Sequence, residues 1–169
     1  LSGGYNWEAE ENCRIGSCLS FDGSSGHGSF VLPNLSSYTV TAWVKRLSDQ
    51  ETEAGKMDES QIFASSGDRV GLTIKYYSPS NTTDTQFLFW DGSSIVSTTQ
   101  ADLDTFYHVA ITSDGNTKKL YINGVVEASG SATNSIQAGT AKLAEAVDGS
   151  RNLNAVVDDF RVFNRALSA

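Results

Sequence analysis

No apolar run in this 169-residue chain approaches the roughly 20 residues that a membrane-crossing helix needs. Insertion into a membrane by a helix is therefore not expected. Helix-forming residues do not recur at spacings of three and four for any length, which argues against a helical bundle. Positive charge is short as well: 12 Lys and Arg stand against 20 Asp and Glu, a formal net charge of −8. Such a surface repels phosphate backbones and anionic lipid, so no nucleic-acid partner is expected. Cysteine and histidine are scarce, with two of each. His27 and His108 are not at ligand spacing from Cys13 and Cys18 or from each other, which argues against zinc. The cysteine pair can close a small disulfide loop or stay as free thiols. We expect the disulfide, and with it an oxidising compartment.

What the chain does contain is Ser, Thr, Gly, Val, Tyr and Phe in short alternating runs broken by turn residues. Residues 106–128 show this most clearly. Tyr107, Val109 and Ile111 alternate with His108, Ala110 and Thr112, a period of two that fits a half-buried strand. Ser113-Asp114-Gly115-Asn116 supplies a reversal, Leu120-Tyr121-Ile122 runs back, and Asn123-Gly124 is the strongest short hairpin signal available. Three consecutive strands are expected here, with the rest of the sheet docked around them.

Further strands are expected at 18–21, 29–32, 38–45, 61–65, 70–77, 86–90, 94–98, 141–146 and 156–163. In the third of these, Tyr38, Val40, Ala42 and Val44 form one side and Thr39, Thr41, Trp43 and Lys45 the other, so a regular pleat leaves Trp43 on the outer or concave face. Residues 1–17 read as an irregular lead-in anchored by Trp7, residues 46–60 as a long acidic loop, and residues 129–134 as a small-residue loop. About a dozen strands in one domain, residues 1–169, fit an all-β sandwich of two packed antiparallel sheets. The chain begins at Leu1 without a methionine or signal peptide. It reads as a mature fragment or a domain tethered to others in a longer chain.

Six segments carry a resemblance: Leu19-Ser20-Phe21-Asp22-Gly23, Thr39-Val40-Thr41-Ala42-Trp43-Val44-Lys45, Tyr107-His108-Val109-Ala110, Asp114-Gly115, Leu120-Tyr121-Ile122-Asn123-Gly124, and the run from Val157 through Asp158, Asp159 and Phe160 to Ser168. In this order they resemble the LamG-like jelly-roll domains of the concanavalin A-like lectin/glucanase superfamily. Tyr107 stands where that family usually has tryptophan, which keeps the aromatic character. The resemblance implies a jelly-roll sandwich in a secreted or surface-displayed module that binds glycan or a surface protein. It also implies a structural calcium at the positions matching Asp22, Gly23 and Asp158. Calcium takes six to eight hard oxygens, which a turn rich in carbonyls facing a carboxylate can supply. The competing reading is that Asp22 makes a turn and Asp158 bonds backbone amides.

The laminarinase-like enzymes of the superfamily carry carboxylates at alternate positions of one strand, because only residues two apart share a face. No strand here has that pattern; Glu51 and Glu53 lie in the acidic loop, and His108 has no serine or cysteine nucleophile beside it. Hydrolase activity is not expected. Carbohydrate binding is the leading reading, since sugar rings stack their C–H faces on exposed aromatics while amides and carboxylates bond the hydroxyls. Candidate platforms are Trp90, Tyr76 and Tyr77, with Asp91 and Asn81 as polar neighbours. Trp90 shares a side with Leu88, and Phe87 with Phe89; which pair is core stays open. Asn34-Leu35-Ser36 and Asn81-Thr82-Thr83 are glycosylation sequons, of consequence only in a host that uses them. The competing class is an adhesion or scaffold module that contacts protein.

Overall fold

The structure, a computed structural model, describes residues 1–48, 58–76 and 85–168. These residues form thirteen strands: β1 (Tyr5–Glu8), β2 (Cys18–Asp22), β3 (Gly28–Leu32), β4 (Tyr38–Arg46), β5 (Asp58–Ala64), β6 (Gly71–Tyr76), β7 (Thr85–Trp90), β8 (Ser94–Gln100), β9 (Phe106–Ser113), β10 (Thr117–Ile122), β11 (Val125–Ser131), β12 (Gly139–Leu143) and β13 (Asn154–Phe163). A seven-stranded sheet has the order β1-β2-β13-β4-β9-β10-β11, and a six-stranded sheet the order β3-β12-β5-β6-β7-β8. Both are antiparallel, and strands distant in the chain lie side by side, as in a jelly-roll sandwich.

Alternation decides what each strand buries. Tyr38, Val40, Ala42 and Val44 of β4 are buried, as are Val109 and Ile111 of β9 and Leu120 and Ile122 of β10. From the other sheet Ile62, Phe63, Leu72, Ile74, Phe87 and Phe89 meet them. Fully burying an aliphatic or aromatic side chain contributes about 1.5–3 kcal/mol. The 106–128 meander is present: β9 pairs with β10 and β10 with β11, with Asn123 (φ 51°) and Gly124 (φ 82°) both in the left-handed region that a type I′ turn requires. At the preceding reversal, Asp114 Oδ1 accepts the amides of Asn116 and Thr117 at 2.8 and 2.7 Å.

Three expectations are corrected. The lead-in contains β1, paired in register with β2, and Trp7 anchors nothing, being 66% exposed. The small-residue loop at 129–134 is shortened because β11 continues to Ser131, where Gly130 and Ser129 pair with Lys118 and Lys119. The acidic loop is trimmed at both ends: Arg46 completes β4, and Asp58 to Ser60 open β5 by pairing with Tyr76, Lys75 and Ile74. In the last two cases a neighbouring strand supplies backbone partners to residues whose own side chains carry little strand signal. The middle of that loop, including Glu51 and Glu53, lies outside the described residues.

Candidate functional site

The outer face of the six-stranded sheet carries the candidate site. On β7, Phe87 and Phe89 turn into the core, so Leu88 and Trp90 take the outer side and the open choice is settled. Trp90 is 43% exposed at the rim of a cavity of about 450 Å3, among whose lining residues are Glu59, Gln61, Thr73, Lys75 and Arg151. Gly71 stands opposite Trp90 in the ladder. A Cβ there would come within 2.5 Å of Gln61 Nε2, so the glycine leaves room for the glutamine amide to lie across the sheet.

Gln61 Nε2 donates to the carbonyls of Phe63 and Leu72, at 2.5 and 3.5 Å. This fixes the orientation of the amide and leaves its oxygen as an acceptor toward the groove. Arg151 Nη1 lies 3.6 Å from Glu59 Oε2, and its Nη2 lies 3.4 Å from Asp68 Oδ2. The groove thus combines an aromatic plate, an amide and a shared guanidinium with two carboxylates. That mixture can bond neutral hydroxyls and carries little net charge.

Asp91 is not part of it. It is fully buried, where Lys118 Nζ meets Oδ1 at 2.5 Å and the Thr133 amide donates to Oδ2 at 2.8 Å. Lys118 also donates to the carbonyl and hydroxyl of Ser93 and lies 5.5 Å from the centre of the Phe89 ring. The pair joins β10 of one sheet to the turn after β7 of the other, and so holds the turn that follows Trp90. Sequence reasoning missed Lys118, although it alternates with Leu120 and Ile122 and therefore falls on the core side, where a lysine requires a partner. Tyr77 and Asn81 lie outside the described residues, as does the side chain of Tyr76.

The calcium positions are not brought together. Asp22 stands opposite Asn154, and Asp158 lies four residues farther along β13, about 13 Å at strand rise. Asp22 Oδ1 accepts the amides of Ser24, Ser25 and Gly26 at 2.9, 3.1 and 3.3 Å, and Oδ2 accepts the Ser24 hydroxyl at 2.8 Å. Led by the Ser24 amide, these donors hold its pKa far below the usual carboxylate range. Gly23 (φ 75°) supplies the turn itself. Asp158, buried, accepts the amides of Arg14 and Ile15 on Oδ2 at 2.7 Å each. Donors already answer both carboxylates, so Asp22, Gly23 and Asp158 do not fit one calcium ion. Among the described residues no three His, Cys, Asp or Glu side chains converge.

Asp158 instead anchors the loop closed by the Cys13–Cys18 disulfide, which is formed with S–S 2.02 Å. That loop lies against the outer face of the seven-stranded sheet, beside Trp43 and His108, whose rings meet edge to face at 5.2 Å. Burial pushes the His108 pKa down, against an upward pull from Asp159. The preceding aromatic, Tyr107, donates its hydroxyl to Asp102 at 3.0 Å. Asn34 is exposed, and its Oδ1 accepts the Ala138 amide at 2.8 Å.

A family model described as the Concanavalin A-like lectin/glucanases superfamily matches residues 22–169. The chain belongs to that superfamily. The fold is shared with the fourth domain of the extracellular arabinanase AbnA from Geobacillus stearothermophilus, solved with arabinotriose, at 18% identity and TM-score 0.69 over 99% of this chain and 78% of that one. A SAP-like pentraxin from Limulus polyphemus is similar at 19% identity and TM-score 0.65, over 88% and 76%. A putative carbohydrate-binding protein from Bacteroides ovatus is similar at 17% identity and TM-score 0.68, over 89% of this chain and 44% of that one. No curated protein sequence matches the chain. At under 20% identity, what these neighbours show is the shared fold.

Proposed function

We propose that this domain is a non-catalytic carbohydrate-binding module that lays a neutral glycan across the outer face of the six-stranded sheet. The observation that carries the reading is Trp90, a large aromatic left 43% exposed on the rim of the groove that Gln61, Thr73 and Arg151 line. An indole in that position offers its face to a sugar ring while the amide and guanidinium bond hydroxyls. The carboxylates nearest the groove, Glu59 and Asp68, both turn to Arg151, which suits recognition better than the unpaired acid and nucleophile of a glycosidase. The arabinotriose complex and the putative carbohydrate-binding protein among the similar structures support the ligand class. The disulfide supports an extracellular setting, as part of a larger secreted or surface protein.

The test is binding of the purified domain to neutral polysaccharides, namely arabinan, xylan and mixed-linkage glucan, with Trp90→Ala as the variant. Binding to at least one, weakened about tenfold or more by the substitution in a domain of unchanged stability, is the expected result. Binding that survives Trp90→Ala overturns the role of this face. No binding by a folded sample overturns the glycan reading and leaves a protein-adhesion module.

A further inference from the structure

The opposite face of the sandwich carries a second constellation, which the neutral-glycan reading does not use. In the register of the seven-stranded sheet, Trp43 of β4 stands between Asp158 of β13 and His108 of β9, and Lys45 stands opposite Phe106. Side chains paired in this way leave the sheet on the same side. The disulfide loop folds over that side, held by the two amides that Asp158 accepts. The loop sets Arg14 on the aromatics, its Cζ 4.7 Å from the centre of Trp43 and 5.9 Å from that of Phe106. Lys45 Nζ approaches the same Phe106 ring, 5.0 Å from its centre. A depression of about 570 Å3 opens there, lined by Arg14, Trp43, Phe106, His108, Asn123 and Gly124.

The chemistry of this depression is one-sided. Neither Arg14 nor Lys45 forms an ion pair among the described residues, although the chain has eight more acids than bases, 20 against 12. Asn123 Oδ1 accepts the His108 amide at 2.9 Å, which leaves its NH2 group as two donors at the rim. The carboxylates close by are occupied: Asp158 by the Arg14 and Ile15 amides, and Asp159 by Arg161 Nη2 at 2.7 Å. Unpaired cations and amide donors beside an aromatic floor match a ring that bears a negative group. The long-range field of so acidic a chain opposes every polyanion, so the attraction here is that of these two cations at close range, inside the screening distance.

We propose that the outer face of the seven-stranded sheet holds a second site, for an acidic polysaccharide, in which Arg14 and Lys45 receive a carboxylate or sulfate group above Phe106. A guanidinium takes such a group through two parallel bonds, and its position is set in advance by the disulfide loop. This site stands apart from the neutral-glycan face, and neither depends on the other.

Isothermal titration of the folded domain with polygalacturonate, dextran sulfate and neutral arabinan tests it, using Arg14→Gln/Lys45→Gln and Trp90→Ala. Binding to polygalacturonate or dextran sulfate, weakened about tenfold or more by the double substitution and by added salt, is expected. Trp90→Ala keeps that binding, which separates this site from the first. Polygalacturonate as the tighter ligand assigns a carboxylate, and dextran sulfate a sulfate ester. Lys45→Gln alone, at a side chain that anchors no loop, covers the case of a misfolded double variant and is expected to weaken binding severalfold. Absence of binding to both acidic polymers overturns the proposal, as does binding that neither variant diminishes.

Discussion

The outer faces of the two sheets handle charge in opposite ways. On the six-stranded sheet, Arg151 draws in Glu59 and Asp68, Lys75 brings the cations level with the carboxylates, and the rest of the groove is an indole, an amide, Leu88 and hydroxyl-bearing strand residues. On the seven-stranded sheet, the cationic side chains of Arg14 and Lys45 rest on aromatic rings and form no ion pair among the described residues. A face whose charges are already matched can recognise only dipoles and shape, while one with free cations recognises an anion. Between the two lies the buried Lys118–Asp91 pair, whose side chains are 1% and 0% exposed. It serves neither face directly and joins the sheets that carry them.

The largest expected effect tests that join. Lys118→Met leaves Asp91 buried without its cation and is expected to cost about 3–5 kcal/mol in urea unfolding. Replacing both, with Asp91→Leu added, recovers most of that loss because no charge is left buried. If the single substitution costs less than about 1 kcal/mol, the pair does not hold the sandwich together.

Asp158→Ala comes next. It removes the acceptor of two loop amides, and hydrogen bonds to a charged group are worth about 1.5–3 kcal/mol each, so a loss of about 2–3 kcal/mol is expected for this partly compensated pair. EDTA should leave the Tm of the unaltered domain unchanged, since amides and the Ser24 hydroxyl already answer Asp22 and Asp158. A Tm that falls by several degrees in EDTA and returns with calcium would place an ion here after all.

The smallest effect is on pH. Burial holds His108 neutral, with a pKa below the ordinary 6.5. The unfolded chain therefore takes up its proton first, and stability declines as pH falls below about 6.5. Bonds from the Ser24 amide at Asp22, the Thr117 amide at Asp114 and the Ser150 hydroxyl at Asp148 depress those carboxylates. Burial raises Glu127, but the Thr99 and Thr98 donors outweigh it and the net shift is also downward. Their contribution is complete above the ordinary carboxylate range and is lost as pH falls through about 4 and below. A Tm profile should show a shallow decline from near pH 6.5, removed by His108→Gln, and a steeper one below pH 4. A variant that keeps the shallow decline would assign it to another group.

How much of this was legible in the chain varies with the range of the interaction responsible. The Asn123-Gly124 turn could be read because the φ values it demands are a property of two adjacent residues. The alternation of β4 placed Tyr38, Val40, Ala42 and Val44 in the core correctly, because the other side sets Thr39, Thr41 and Lys45 around its single aromatic, Trp43. In β7 both sides are apolar or aromatic, so the strand offered no local reason to bury Phe89 and expose Trp90. Asp91 was misread as a ligand group because its cation is 27 residues away on the other sheet. Trp7 was misread as an anchor because bulk and apolarity suggested burial that no neighbouring element provides.

The sequence by itself determined the all-β class, the Asn123-Gly124 turn and the parity of strands such as β4, and it set the two cysteines close enough to bond. All of these rest on backbone preferences or contacts within a few residues. Only the tertiary structure decided which face of β7 meets solvent, that Asp158 grips the Arg14 loop at a distance from Asp22, and that Arg14 and Lys45 converge on one ring. Those outcomes depend on which strands become neighbours, and what a side chain does there is set by the partners that the fold brings to it.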